Sequence, residues 1–305
     1  MQQSPEFLRQ QEHVISLIRQ FFSAKGFREF MTPVLQDALP LEENLYSFQT
    51  TWQTTEGNKQ LYLPTSPESY LKKQLATGSG NCFSVAHSFR NLEQAGTHHS
   101  PEFLMLEWYR EGANWTDIMH DVQDLFAYIL STASLPSSLQ FQRWETLSLD
   151  SLFQERLGTS LKTVCERDAL FELAHSLGYT TADAAWSQMF DQVFLNEIEP
   201  HLPQTPFFLV DFPVRISRLC QVQSDKPWLA ERFEVYAGGL ELGNGNTEEL
   251  DHKAVLAYFK NEEECRGNVG ISSHPIDAEF VSSLEALSHT GKSYAGIGMA
   301  VGRRV

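Results

Sequence analysis

One acidic residue inside an apolar strand constrains this chain more than any other feature. Residues 102–109 read EFLMLEWY, an extended, largely apolar run typical of a strand. Because side chains alternate between the two faces of a strand, we expect one face to carry a shared set: Phe103, Met105, Glu107 and Tyr109. Glu107 therefore lies where burial is favoured, and a buried carboxylate needs a cation. That cation belongs either to the protein itself or to a ligand.

Charge and composition narrow the class of protein. The chain has 305 residues, 42% of them hydrophobic, which is enough for one large domain with a sizeable core. Acidic residues outnumber basic ones 39 to 23, which argues against a large nucleic-acid-binding surface. No apolar run is long enough to cross a bilayer, and the polar first residues do not resemble a signal peptide. The scattered cysteines fit a cytoplasmic protein.

The order of helical and extended patterns predicts a single domain over residues 1–305, with a helical insertion around 134–205. A capped helix is predicted to carry Glu68 in its first turn. A hairpin is predicted to turn at Gly238-Gly239. We also predict a polar helix over 247–264.

Four further residues leave two interpretations open: a structural role or a contact with a ligand. Glu68 either complements the helix dipole or binds a cationic ligand. Glu241 and Asn244 lie in a glycine-rich strand end, where a ligand can approach the backbone closely. Arg303 follows an apolar run at the end of the sequence, which suits either an anion site or a solvated basic terminus.

Several segments resemble, in the same order, the motifs of class II aminoacyl-tRNA synthetases of the lysyl-tRNA synthetase branch. FREFMTPVL resembles motif 1, and SFRNLEQAGTHHSPEFLMLEWY resembles motif 2. ERFEVYAGGLELGNGNTEE resembles a further segment of that branch, and GIGMAVGRR resembles motif 3. The resemblance extends over almost the whole chain. Motif 1 begins after a single helix, without the anticodon-binding barrel of the synthetases. That architecture is similar to the elongation factor P lysine lysyltransferases of the family.

The resemblance implies an α+β fold, namely a class II synthetase-like catalytic domain with a mainly antiparallel sheet flanked by helices. It implies a homodimer with motif 1 at the interface. The implied activity is ATP-dependent activation of lysine or β-lysine, with Mg²⁺, followed by transfer to a lysine of elongation factor P.

Site residues follow from the same resemblance. Arg90 would hold the α-phosphate and the substrate carboxylate, and Glu68 would hold the amino group beside the reacting carboxylate. The distal ammonium and the rest of the amino acid would be bound by Glu107, Tyr109, Glu248 and Asn244. The ATP side would be formed by Arg90, Asn91, Glu93, His99, Phe103, Glu241 and Arg303. Glu241 would also bind Mg²⁺, and the two arginines would be catalytic.

This sequence departs from the family pattern at several places. Family members carry a glutamate that touches adenine close after the motif 2 arginine. Here Leu92 intervenes, so Glu93 would take the place of that glutamate. Gly302 replaces the acid before Arg303, and this altered motif 3 supports an alternative: a catalytically weakened paralogue that binds lysine or its adenylate as a sensor. Transfer to another acceptor such as tRNA is a further alternative. Gly298 stands where a lysyltransferase is expected to carry alanine and a synthetase glycine, which leaves the lysine isomer open.

Overall fold

The structure, a computed structural model, describes residues 4–92, 100–133, 144–182, 184–268, 270–271 and 273–301. The strands in this part of the chain are β1 (Arg28–Glu29), β2 (Gln49–Thr54), β3 (Gly57–Tyr62), β4 (Cys82–Phe89), β5 (Glu102–Glu111), β6 (Glu145–Ser148), β7 (Phe207–Val210), β8 (Arg232–Ala237), β9 (Leu240–Thr247) and β10 (Tyr294–Val301). The α-helices are α1 (Pro5–Ala24), α2 (Glu68–Ala76), α3 (Trp115–Thr132), α4 (Leu149–Leu157), α5 (Leu161–Val164), α6 (Arg167–Ser176), α7 (Trp186–Val193), α8 (His252–Asn268) and α9 (Ala278–Ser288).

Helix starts follow local capping chemistry. The Ser4 hydroxyl accepts a hydrogen bond from the Phe7 N–H at the start of α1, and Pro5 occupies the first helical position. Asn114 forms a capping box with Asp117 at the start of α3. These side chains satisfy N–H groups that have no partner within the helix, so the sequence fixes where both helices begin.

The chain forms two compact units, and residues 1–136 with 248–305 make up the first. Its strands lie in the order β1-β4-β5-β10. β4 and β10 each pair with β5 in antiparallel register, whereas the short β1 pairs with β4 in parallel. The segment that resembles motif 2 therefore runs from the end of β4 into β5, two adjacent antiparallel strands.

Helix α1 covers one face of β5. The Phe22 ring stacks on the Phe83 ring with centroids 4.8 Å apart, and it lies 5.0 Å from the Trp108 ring. All three side chains are fully buried. Because Trp108 and Glu107 are adjacent in a strand, this packing leaves Glu107 on the opposite face of the sheet.

The second unit comprises residues 137–247. Its strands lie in the order β9-β8-β7-β6, with only β6 and β7 parallel. The hairpin of β8 and β9 turns at Gly238 and Gly239, which both have positive φ, as predicted. The helices α4–α7 share one apolar core with β7, and a π-helical turn (Phe194–Ile198) follows α7.

The α+β fold with a mainly antiparallel arrangement of strands is confirmed. The single domain with an insertion around 134–205 stays a prediction. The helix predicted over 247–264 is wrong at its start: Thr247 belongs to β9, and α8 begins at His252. Asp251 accepts hydrogen bonds from the Lys253 and Ala254 N–H groups and so sets that later start. In the described residues, no helix has the length and apolar character needed to cross a membrane.

Candidate functional site

Glu107, an acid of the first unit, is buried, with 3% of its surface exposed. Burial raises the pKa of its carboxyl well above the ordinary value, and the nearby charge of Glu68 raises that pKa further. Two groups oppose the rise. The Tyr109 hydroxyl donates a hydrogen bond of 2.5 Å to Oε1 of Glu107, and the ammonium of Lys72 attracts the carboxylate. Glu107 is thus a carboxylate held away from water, beside other charged groups.

Helix α2 carries two of those charged groups on one face. The Glu68 N–H donates to the Ser66 hydroxyl over 3.3 Å at the helix start. Glu68 and Lys72 are four residues apart, the spacing at which helical side chains meet. The Lys72 ammonium lies 2.5 Å from Oε1 of Glu68, and the Lys72 residue is only 2% exposed. The helix therefore brings an acid and a base together under the surface.

Glu248 directly follows β9 and completes a carboxylate cluster, which consists of Glu68, Glu107 and Glu248 around Lys72. Its backbone N–H donates to the Tyr294 carbonyl over 2.8 Å, so the residue is held beside β10 and not in a helix. Its carboxylate oxygen Oε2 lies 2.5 Å from the Lys72 ammonium. Burial lowers the pKa of Lys72, but attraction to Glu248 and Glu68 outweighs burial, and the net pKa is raised. Lys72 is therefore a charged ammonium between two carboxylates.

Small side chains surround Glu107 on its own sheet face. Strand register places Ser84 of β4 on one side of Glu107 and Gly298 of β10 on the other. A Cβ at Gly298 would lie 3.5 Å from Oε2 of Glu107 and 3.3 Å from the Met105 sulfur. The Ser84 hydroxyl is buried and has no hydrogen-bond partner in the described part of the chain. Glu107 is therefore flanked by a glycine, which has no side chain, and by a serine hydroxyl.

Arg90 directly follows the last residue of β4, beside the start of β5. Its guanidinium lies 5.4 Å from the centre of the Phe103 ring, in cation–π geometry, and its Nε donates to the Thr65 carbonyl over 3.4 Å. The Asn91 N–H donates to the Tyr46 carbonyl over 2.7 Å. Arg90 is only partly buried, so its guanidinium is able to meet an anion.

In the second unit, Glu241 and Asn244 lie on β9, and the Asn244 amide lies 3.5 Å from Oε1 of Glu241. The neighbouring strand β8 presents Glu234, a buried acid that our sequence analysis missed. Burial raises the pKa of Glu234 to about 8, repulsion by Glu241 adds to that rise, and Arg232 opposes it. Arg232 donates to Glu234 over 2.8 Å, and the Tyr236 hydroxyl donates over 3.1 Å. Alternation along ERFEVY could have found Glu234, which shares a face with Tyr236.

The model of one protein family, described as tRNA synthetases class II (D, K and N), matches residues 1–305. The chain belongs to this family.

Eight similar proteins share one name, elongation factor P–(R)-β-lysine ligase. An elongation factor P–(R)-β-lysine ligase of Actinobacillus succinogenes is 34% identical over 277 residues, which is 90% of this chain and 82% of that protein. The proteins of the same name from Vibrio vulnificus and Yersinia enterocolitica are 34% and 33% identical. They cover 93% and 96% of this chain, and the matches cover 86% and 87% of their own lengths.

Membership of the class II family confirms the predicted resemblance and the predicted catalytic fold. It also confirms the predicted enzyme class, an ATP-dependent ligase. The structure brings Glu68, Glu107, Tyr109 and Glu248 together in the first unit, through direct contacts or mutual electrostatic effects. The predicted ligands Glu93, His99 and Arg303 lie outside the described residues, so their roles stay predictions.

The site also contains a residue that our sequence analysis overlooked. Lys72 contacts two of the carboxylates that the resemblance assigns to the substrate. Its spacing from Glu68 was the available signal, since an acid and a base four residues apart on a helix form a pair. The sequence left open whether the cation near Glu107 comes from the protein or from a ligand. Lys72 shows that the protein itself supplies one such cation.

Proposed function

We propose that this protein activates lysine or β-lysine with ATP as an aminoacyl-adenylate and transfers the acyl group to a lysine side chain of elongation factor P. One observation carries the proposal: the buried carboxylates of Glu107 and Glu248 and the partly buried carboxylate of Glu68 lie around the buried ammonium of Lys72 in a class II ligase. An ammonium offers three hydrogen-bond donors and no acceptor, so carboxylates are its natural partners. The names of the relatives supply the acceptor.

The first step would be adenylation. An oxygen of the lysine carboxylate attacks the α-phosphorus of ATP, the bond from that phosphorus to the pyrophosphate oxygen breaks, and pyrophosphate leaves. Arg90 is proposed to bind the α-phosphate and the attacking carboxylate, because a guanidinium binds such anions with two parallel hydrogen bonds. Positioning and charge compensation would supply most of the rate acceleration.

Binding of the amino acid would use the carboxylate cluster. Glu68 is proposed to bind the amino group near the reacting carboxylate, and Glu107, Tyr109 and Glu248 to bind the distal ammonium. Asn244 is proposed to fix the amino acid, and the remaining ATP contacts to come from Asn91, Glu93, His99, Phe103 and Arg303. In the second step the acceptor amine attacks the acyl carbon, an amide bond forms, and AMP leaves.

Magnesium is proposed to bind at Glu241. No group of three or more histidine, cysteine or acidic side chains lies close enough to hold a metal among the residues that the structure describes. Two acids fit Mg²⁺ nonetheless, because this ion keeps several waters and uses one or two carboxylates with substrate phosphates. Glu234 and Glu241 are close enough to repel each other, which a bound cation would relieve. The ion would offset the charge of the phosphates.

A homodimer and a cytoplasmic location complete the proposal. Motif 1 presents exposed apolar side chains, with Met31 92%, Leu35 54% and Val34 43% exposed. Adjacent exposed apolar side chains of this kind suit a two-fold interface. The four cysteines, at positions 82, 165, 220 and 265, are free thiols, which fits a reducing compartment.

The test is mass spectrometry of purified elongation factor P after incubation with this protein, ATP and each lysine isomer. The expected result is an increase in the mass of elongation factor P by one lysyl residue, with one isomer preferred. Lysine-dependent pyrophosphate exchange, measured in parallel, reports the first step alone. Exchange without modification of elongation factor P would point to another acceptor. Lysine binding without pyrophosphate exchange would favour the alternative that the protein binds lysine as a sensor.

A further inference from the structure

Lys72 holds an unusual position for a lysine. It is 2% exposed, and its ammonium bridges Glu68 and Glu248 at 2.5 Å each. The ammonium also lies 5.5 Å from the centre of the Tyr109 ring and 5.6 Å from that of Phe280. Fully burying a lysine is costly unless its charge is paired. Here both pairing partners are residues already proposed to bind the substrate.

Charge balance shows what the cluster lacks. When all are ionised, Glu68, Glu107 and Glu248 carry three negative charges, and Lys72 supplies one positive charge. Two negative charges are left for a ligand to neutralise. Lysine and β-lysine each carry two ammonium groups, and both groups remain when the carboxylate is joined to AMP as a mixed anhydride. The number of cations on the adenylate thus matches the number that the cluster lacks.

Geometry gives Lys72 a second effect. Glu68 is on helix α2, whereas Glu248 follows strand β9, and each side chain has its own rotamers. One ammonium in contact with both carboxylates fixes their separation. Without it, the two carboxylates would repel each other and lose the contact that fixes their separation.

We propose that Lys72 is a positioning residue for the amino acid substrate: it holds Glu68 and Glu248 in place and sets the cluster to accept a ligand with two ammonium groups. This inference rests on the proposed function, since it assumes a diamino acid substrate. Lys72 does not touch the reacting atoms in this scheme. It acts through the carboxylates that it orders.

The chain offers a matched control in the next residue. Lys73 is on the same helix, but its ammonium pairs with Asp277 at 2.7 Å and Glu279 at 3.2 Å, away from the cluster. Lys72→Met and Lys73→Met remove the same charge from adjacent positions. We expect Lys72→Met to weaken lysine binding by roughly tenfold or more, as expected for the loss of charge-assisted contacts. The KM for ATP should stay within about twofold, because no ATP ligand is altered. Lys73→Met should change neither value.

Chemical rescue separates positioning from a structural role. Lys72→Ala deletes a propylammonium group, so added n-propylammonium should strengthen lysine binding to this variant, whereas neutral 1-propanol should not. In the parent protein the same amine should weaken lysine binding by competition. The two proteins should therefore respond to one additive with opposite sign. This comparison also serves if Lys72→Met does not fold, because the amine restores the missing charge.

The readouts are the lysine dissociation constant by calorimetry and the KM values by pyrophosphate exchange. Lysine affinity in Lys72→Ala that rises with n-propylammonium supports the proposal. Equal or tighter lysine binding by folded Lys72→Met would overturn the proposal. The proposal would also fail if the lysine affinity of Lys72→Ala did not change when n-propylammonium is added. If the parent binds lysine but modifies no elongation factor P, the proposed function fails, and the Lys72 comparison still stands. A parent that binds no diamino acid would refute both.

Discussion

Tyr109 donates a 2.5 Å hydrogen bond to Oε1 of Glu107, two residues away on the same face of β5. The bond occupies one carboxylate oxygen and leaves Oε2 facing Gly298, where a Cβ would be 3.5 Å away. The strand period of two thus creates a fixed, buried acceptor on the sheet. All the predictions below except the last concern this pair and its surroundings.

Replacing Glu107 with Gln should raise the KM for lysine by roughly tenfold to a hundredfold, because a charge-assisted contact worth about 1.5–3 kcal/mol is lost. The KM for ATP should change little. Pyrophosphate exchange at varied lysine and ATP measures both values. Glu102→Gln is the matched control, because Glu102 is on the same strand with its side chain 56% exposed. If Glu107→Gln keeps the parent's KM for lysine, Glu107 does not bind the substrate and has only a structural role.

Lysine binding should release protons. Burial raises the pKa of Glu107 well above its ordinary value, so this carboxyl keeps its proton to higher pH in the free protein than a free glutamate does. An arriving ammonium favours the ionised form and expels that proton. Lysine affinity should therefore fall as pH drops through the raised pKa. Calorimetry in two buffers of different ionisation enthalpy measures the proton count, and identical heats in both buffers would contradict the prediction.

Tyr109→Phe should move the pH dependence upward. The Tyr109 hydrogen bond lowers the pKa of Glu107, so its loss lets that pKa rise further. The acid limb of the lysine-affinity profile should then shift to higher pH, while affinity at alkaline pH changes less. The measurement is the lysine dissociation constant over a pH series in both proteins. Superimposable acid limbs would show that the hydrogen bond does not tune Glu107.

Replacing two glycines of β10 with alanine should have different effects on the stability of the fold. A Cβ at Gly296 would lie 2.3 Å from the Tyr109 ring and 2.7 Å from the Trp108 carbonyl, so Gly296→Ala should destabilise the fold by on the order of 3 kcal/mol. At Gly298 the nearest contact is the flexible Met105 side chain at 3.3 Å, so Gly298→Ala should fold. Thermal unfolding of both variants tests this contrast.

Gly298→Ala should also change substrate preference, because the added methyl group narrows the space beside Glu107. By the family resemblance, the ratio of β-lysine to α-lysine activation should rise. Pyrophosphate exchange with each isomer measures that ratio. An unchanged ratio in a folded variant would show that position 298 does not select the isomer.

Arg266 should be a stability residue that has no part in catalysis. It is 2% exposed, and it donates to Glu262 over 2.9 Å and to the Glu42 and Leu45 carbonyls over 2.5 and 3.0 Å. Arg266→Met should lower the free energy of unfolding by about 3–5 kcal/mol, because the buried Glu262 carboxylate and the Leu45 carbonyl lose this charged partner. The exposed pair of Arg19 and Glu29 gives the control, since Arg19→Met should cost about 0–1 kcal/mol. Urea unfolding measures both.

The sequence by itself determined the local features. Alternation in EFLMLEWY placed Glu107 and Tyr109 on one face and Trp108 on the other, because a strand has a period of two. Ser4 and Asn114 fixed helix starts through capping, and Gly238-Gly239 fixed a hairpin turn through positive φ. The ordered motifs identified the class II family. Each of these depends on residues close together in the chain.

Only the tertiary structure decided what surrounds the buried acid. Glu248 was predicted in a helix, but its N–H is held by Tyr294, and the helix begins later. Strand register placed Ser84 and Gly298 on either side of Glu107, and packing of α2 brought Lys72 between Glu68 and Glu248. These partners are far apart in sequence, so no local pattern encodes their distances. Burial is also what makes their charges interact strongly, and burial exists only once the chain has packed.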